Sequence, residues 1–341
     1  MVSFECDYNN GMAPKILERL IGTNYTSQPG YGNDEYTISA VEKIKKALGR
    51  DDVLVTLVAG GTQTNQLAVS TLLGRCEGVI TASTGHINVH EAGAVEYTGH
   101  KVLSIEHRDG KICPEDLEKY MEDFERSAAP GAMVEPKMVY LSQPTEIGTI
   151  YSRSELEEIR KICDMHDLYM YIDGARLAYA LAAPYSDVTL PLIASLCDAF
   201  YIGGTKCGAA VGEALVIKKR IVPHNFDRMK KQEGALSAKG RLLGIQFDTL
   251  FTDDYYLYNG KAGIAAAERL KRVFEEKGYQ FAWNSPTNQQ FVIMDKDKFD
   301  YLVEKVRFEK WEDIDGERTI ARFCTSWSTC DDDIAELERL L

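Results

Sequence analysis

Apolar residues along this chain come in two rhythms. Short unbroken runs closed by small or acidic corners read as strands buried on both faces, whereas apolar residues spaced three and four apart read as helices with one buried stripe. Val53 to Val58, Val79 to Ala82, Val102 to Ser104, Met138 to Leu141, Tyr169 to Ile172, Ala199 to Ile202 and Ala214 to Ile217 are of the first kind. Val41, Ile44 and Leu48 mark one helix, Leu67, Leu72 and Leu73 a second, and Pro114 to Phe124 a third, while Pro14 suits the first turn of another. Lys230 to Arg241 is expected to lead into a long helix, and Lys261 to Lys277 has the amphipathic pattern. Further strands are expected at Tyr279 to Trp283, Gln290 to Met294 and Ile320 to Thr325. The pattern predicts an α/β protein: a large domain over residues 1–245 with a mostly parallel sheet, then a small C-terminal α+β domain over 246–341.

Two of these strands end in residues that suit a charged ligand. Tyr169 to Ile172 is closed by Asp173-Gly174-Ala175-Arg176, and Ala199 to Ile202 by Gly203-Gly204-Thr205-Lys206-Cys207-Gly208. In an open α/β sheet the ligand crevice lies beyond the carboxyl ends of the strands, so Asp173 and Lys206 are expected to face one pocket. A structural salt bridge is the plain alternative. Lys206 stands among Gly203, Gly204, Gly208, Ala209, Ala210 and Gly212, which reads as a surface cleared for a flat ligand. A buried amine has a depressed pKa and attacks carbonyls, the behaviour of a Schiff-base lysine. Pyridoxal 5'-phosphate needs such a lysine and an acid on its pyridine nitrogen. Upstream, Val53 to Val58 runs through Ala59-Gly60-Gly61-Thr62 into a helix, whose free N–H groups and positive dipole end suit a phosphate. An ordinary βα corner looks the same in isolation. Neither a G-x-G-x-x-G turn nor a P-loop is present, which weakens nicotinamide and nucleoside-triphosphate readings.

Together these motifs resemble the threonine aldolase and β-eliminating lyase family of fold-type-I pyridoxal-phosphate enzymes. The resemblance is carried by Gly61-Thr62-Gln63-Thr64-Asn65-Gln66, His86-Ile87 with Glu91, Asp173 to Arg176, Lys206, and Arg322-Phe323-Cys324-Thr325. It implies a lyase that cleaves L-threonine, allo-threonine or a related β-hydroxy-α-amino acid to glycine and an aldehyde. By the same resemblance Lys206 holds the cofactor, Asp173 meets its pyridine nitrogen, Gly61, Thr62 and Gln63 its phosphate, and His86 stacks on its ring. Arg322 and Arg176 are implied to take the substrate carboxylate, Arg176 also reaching the cofactor. Tyr31 and Lys239 are implied to reach a neighbouring subunit's site, Tyr31 on the substrate side and Lys239 at the phosphate, in a homodimer or homotetramer. Two positions depart from the pattern. Cys6 stands where serine is usual, and Gln143-Pro144-Thr145-Glu146 replaces Glu-Asn-Thr-His, so the proton acceptor is open between His86, Glu146 and water. An aminotransferase or a β-eliminating lyase acting on another amino acid keeps the cofactor and changes the bond broken. A non-catalytic or nicotinamide-binding α/β protein, with Asp173 against a ribose, is the alternative of a different class.

His86 and His90 lie four apart, as metal ligands on a helix do, but the H-E-x-x-H order is missing and no metal is expected; His90 reads as structural. With 52 acidic against 39 basic residues the net charge is −13, which disfavours nucleic acid or an anionic membrane as partner and leaves a small-molecule amino-acid substrate. No apolar run approaches the ~18 residues of a spanning helix, and Met1 to Asp7 turns polar at once, so a cytoplasmic protein is expected. The eight cysteines are scattered without a C-x-x-C pair and read as reduced thiols.

Overall fold

The computed structural model describes residues 1–341. Seven strands form the main sheet: β1 (Val53–Val58), β2 (Glu77–Ala82), β3 (Lys101–Ile105), β4 (Glu135–Ser142), β5 (Tyr169–Asp173), β6 (Ala199–Gly203) and β7 (Glu213–Lys218). Their order is β1-β7-β6-β5-β4-β2-β3. The run from β3 to β6 is parallel, whereas β7 is antiparallel to both β6 and β1. The hydrophobic run of β7 gives no direction, because a strand buried on both faces looks alike either way. Connection length decides it: a parallel return needs about a dozen residues or more, and only Gly204 to Gly212 separates β6 from β7.

Alternation along the strands feeds two cores. Val139, Leu141, Met170, Ile172, Phe200 and Ile202 pack on one face. Met138, Tyr140, Tyr171, Ala199 and Tyr201 pack on the other. The carboxyl ends of β1, β4, β5 and β6 and the start of β7 meet at one edge, where the register sets Ser142 beside Asp173, and Glu213 between Gly203 and Val58.

The glycines at this edge have a different reason from the one the sequence suggests. A Cβ at Gly174 would stand 2.1 Å from the Tyr201 carbonyl oxygen, at Gly203 2.2 Å from that of Ala175, and at Gly204 2.6 Å from that of Gly212. Backbone presses on backbone here, so neighbouring chain already excludes side chains at these three positions. At Gly208 and Gly212 the φ values of +115° and +126° add a second requirement, since L side chains avoid that region.

The long helix expected from Lys230 is instead two, Phe226–Gln232 and Arg241–Leu250. The first ends where Gly234 turns left-handed at φ +69° and Ala235 N–H reaches back 2.8 Å to the Lys230 carbonyl. Lys239 therefore lies in the link. The next helix, Tyr255–Glu276, starts earlier than expected and serves both halves of the molecule. Tyr255, Tyr256 and Ile264 belong to the main core, and Ala266, Leu270 and Phe274 to a second.

That second core lies against an antiparallel sheet of β8 (Gln280–Phe281), β9 (Gln289–Asp295), β10 (Glu309–Asp313) and β11 (Arg318–Cys324), ordered β10-β11-β9-β8. Strand β8 is shorter than the expected Tyr279 to Trp283. Phe4 packs in this core, with its N–H on the Arg307 carbonyl and its carbonyl accepting from Cys324 N–H, both at 2.7 Å. The chain's first residues thus join the C-terminal sheet. No helix is long and apolar enough to cross a membrane.

Candidate active site

A cavity of about 300 Å³ opens at the strand edge, lined among others by Tyr8, Gly60, Gly61, Thr62, His86, Glu146, Asp173, Arg176, Lys206 and Glu213. Each wall follows from an element already described. Gly60 caps the helix Gly61–Leu72 in an extended conformation, with no side-chain cap. Thr64 N–H bonds the Gly60 carbonyl at 2.9 Å, and the N–H groups of Gly61, Thr62 and Gln63 precede the first position that has an intrahelical acceptor. The Gln63 side chain itself turns away, its amide donating to the Glu233 carbonyl at 3.0 Å.

Asp173 ends β5 with its side chain almost fully buried. Its Oδ2 accepts from Tyr140 hydroxyl at 2.5 Å and from Asn65 Nδ2 at 3.0 Å, and its Oδ1 from Ala175 N–H at 3.0 Å. Burial by itself would raise the carboxyl pKa, but the neighbouring His86 imidazole and the bonds from Tyr140, Tyr201 and Asn65 outweigh it and hold the group below its ordinary range. An ionised carboxylate therefore waits on the cavity floor. Lys206 is in the opposite state. Its amine makes no hydrogen bond or ion pair, lies 5.8 Å from the Tyr8 ring centroid, and is pulled below its ordinary pKa by burial and by Arg176, against the opposing pull of Asp7, Asp173 and Glu213.

His86 opens a single helical turn after β2. Its Nδ1 lies 2.6 Å from Glu91 Oε1, which also accepts from Asn65 Nδ2 at 2.7 Å. One continuous set of bonds therefore runs His86, Glu91, Asn65, Asp173, Tyr140, and Tyr171 hydroxyl adds a 3.0 Å bond to Asn65 Oδ1. With Glu91 on Nδ1 the proton sits there, leaving Nε2 as the acceptor of the ring. Glu146 Oε1 accepts from His86 N–H at 2.9 Å and from Ser142 hydroxyl at 2.6 Å, and burial raises the carboxyl's pKa against the Ser142 bond and a bond from its own backbone. Arg176 is gripped by Asp7, Nε to Oδ2 at 2.6 Å and Nη2 to Oδ1 at 3.1 Å, leaving Nη1 without a partner at the cavity wall.

Three expected residues lie elsewhere in the chain. Arg322 does not line the cavity; it is paired with Glu309 across the β10–β11 ladder, donates 3.2 Å to Gln289 Oε1 and lies over the Trp311 ring. A row of rings joins it to the site, His86 to His90 at 5.5 Å and His90 to Trp311 at 6.3 Å between centroids. Tyr31 and Lys239 sit together on another face, where Tyr31 N–H bonds the Ala238 carbonyl at 3.1 Å and Tyr31 is half exposed. Tyr140, Tyr201 and Glu213 take part without having been singled out by sequence, Asn65 only as part of a motif, and Asp7 and Tyr8 only as the neighbours of Cys6. For Tyr140 and Tyr201 the signal was hidden, since in a strand they read as apolar.

The residues present fit pyridoxal phosphate: an ionised carboxylate on the floor, an unbonded amine, an imidazole wall and open N–H groups at a helix start share one cavity. Comparison with known proteins points the same way. The chain is 30% identical to a low specificity L-threonine aldolase of Pseudomonas aeruginosa, over 98% of this chain and 96% of that protein. A solved threonine aldolase of Leishmania major superposes with a TM-score of 0.96 at 42% identity, covering 100% and 98% of the two chains. Aspartate aminotransferase from Thermus thermophilus, at 15% identity and a TM-score of 0.69 over 100% and 92%, shares the fold alone. The architecture is that of fold-type-I pyridoxal-phosphate enzymes. Residues 10–297 match the description "Beta-eliminating lyase", and with the catalytic edge of the sheet inside that span the chain belongs to the beta-eliminating lyase family.

Proposed function

We propose that this chain is a pyridoxal-phosphate-dependent aldolase that cleaves L-threonine, allo-threonine or a related β-hydroxy-α-amino acid to glycine and an aldehyde. The observation that carries the reading is the pairing of an ionised Asp173 with an unbonded Lys206 amine in one cavity. The threonine aldolases at 42% and 30% identity support the substrate class.

Lys206 would hold the cofactor, Asp173 its pyridine nitrogen, the N–H groups of Gly61, Thr62 and Gln63 its phosphate, and His86 one face of its ring. When bound, pyridoxal phosphate supplies an electron sink for the bond broken at Cα. The chain's own residues do the rest. Arg176 Nη1 meets the substrate carboxylate, with Asp7 fixing the plane of the guanidinium. Arg322 joins it only when Glu309 gives way. His86 Nε2 takes the β-hydroxyl proton while Glu91 keeps Nδ1–H in place, the arrangement of a base oriented by a third group.

Incubation of the purified yellow protein with threonine should release glycine and acetaldehyde in equal amounts, and borohydride should bleach the colour. Ammonia with a keto acid instead, or transfer of the amino group, would assign the chain to an eliminating or transaminating reaction. A colourless protein that binds no pyridoxal phosphate would end the reading. Tyr31 and Lys239, brought together on a face away from the chain's own cavity, are assigned to a neighbouring subunit's site in a homodimer or homotetramer. Sedimentation at assay concentration is expected to show such an assembly, and a fully active monomer would refute the assignment.

A further inference from the structure

Glu213 opens β7 with its side chain almost wholly buried, and it lines the same cavity as Lys206. It has no ion-pair partner within bonding distance. Its two acceptors are taken by the residues just ahead of the lysine, Gly204 N–H on Oε2 at 2.9 Å and Thr205 hydroxyl on Oε1 at 2.8 Å. Thr205 Oγ1 in turn accepts Gly212 N–H at 3.0 Å, so the carboxylate closes both ends of the loop that carries Lys206. An amide would close much of that loop without placing an ionisable group where a charge is costly. Its presence asks for another role.

We infer that Glu213 is a positioning residue for Lys206, holding the turn that carries the amine and setting the amine's readiness to lose its proton; this rests on the assignment of Lys206 proposed above. Burial pushes Glu213 up to about 8, while Thr205, Gly204 and the Lys206 charge pull it down. Lys206 is pushed down by burial and Arg176, and Asp7, Asp173 and, to a lesser extent, Glu213 pull it back up. Most other groups facing the pair stay fixed; His86, Glu91 and Glu146 line the cavity as well, and burial raises Glu146. Tyr171, Tyr201 and Tyr256 are held far above their ordinary pKa by burial, Cys207 is pushed up to about 12, Arg176 stays protonated, and Asp7 and Asp173 stay ionised. Tyr8, half exposed at the mouth, is raised by burial and neutral at working pH. Among Arg176, Asp7, Asp173 and Glu213, the charges acting on Lys206, Glu213 is thus the one pushed up towards neutral pH.

The test reads Lys206 directly. In the full chain freed of cofactor, acylation of Lys206 by limiting acetic anhydride is followed by mass spectrometry across pH. Glu213→Gln withdraws a negative charge from the amine's cavity, so the labelling midpoint should fall by up to about one pH unit, and Glu213→Asp should lie nearer wild type. In the loaded enzyme kcat should fall about tenfold in Glu213→Gln, with KM changed less. If Glu213→Gln does not fold, Thr205→Val removes one bond to the carboxylate, making it harder to ionise, and the midpoint should move the same way by less. An unchanged midpoint in whichever variant is folded overturns the inference. Labelling needs no cofactor and no substrate, so its result stands apart from whether the enzyme cleaves threonine.

Discussion

Lys206→Ala is expected to leave a folded protein with no sustained turnover, a loss of about 10⁴-fold or more, on the scale seen when a covalent catalyst is removed. The fold should survive because the lost amine makes no hydrogen bond or ion pair. The contact that does hold this residue, Tyr179 hydroxyl on its carbonyl at 2.7 Å, belongs to the backbone. Truncation also removes an amine whose charged form burial disfavours. The variant should keep a cooperative thermal transition near that of wild type and bind pyridoxal phosphate without a borohydride-reducible link. A small added amine should restore part of the rate by standing in for the lost group. Multiple turnover at a tenth of the wild-type rate without added amine would remove Lys206 from its role.

How far the sequence could lead depended on what kind of signal each residue carries. Asp173 and Lys206 were legible because each ends a clear apolar run, and the carboxyl ends of strands in such a sheet face the ligand. Chain direction left no trace in hydrophobicity, so the reversal of β7 stayed hidden, and with it the placing of Glu213 at the cavity edge. Strand β10 was missed for the opposite reason: Glu309-Lys310-Trp311-Glu312-Asp313 is an edge strand with almost no apolar run. The bonds that tie Asn65 to Glu91 and to Asp173 span 26 and 108 positions, and no local pattern foretells them. Even Asn65 lay within a quoted motif without its role showing. Arg322 illustrates a carried-over role meeting a local competitor, since its register partner Glu309 occupies the guanidinium in this chain. A motif names the residue type and leaves its partners to the fold.

His86→Asn is expected to slow carbon–carbon cleavage by the ~10²–10⁴-fold typical of a lost general base, while Glu146→Gln stays within about tenfold of wild type. The imidazole has what a base needs, an oriented Nδ1–H on buried Glu91 and an Nε2 left as acceptor on a ring at the cavity wall. Glu146 has a different duty, because its Oε1 accepts the backbone N–H of His86 and the hydroxyl of Ser142, which fixes where the ring begins. Glutamine keeps that oxygen as an acceptor, so Glu146→Gln removes the charge and spares the scaffold. The pH profile separates the two candidates again. Burial raises the Glu146 carboxyl above its ordinary range, and a carboxylate base works only when ionised, so a Glu146-driven rate would climb as pH rises through that raised value and lose this limb in Glu146→Gln. Single-turnover cleavage of threonine by the two variants, each shown to bind cofactor as wild type does, decides the matter. A loss of 100-fold or more in Glu146→Gln beside a near-normal His86→Asn would transfer the role to the carboxylate, and near-normal rates in both would leave it to water.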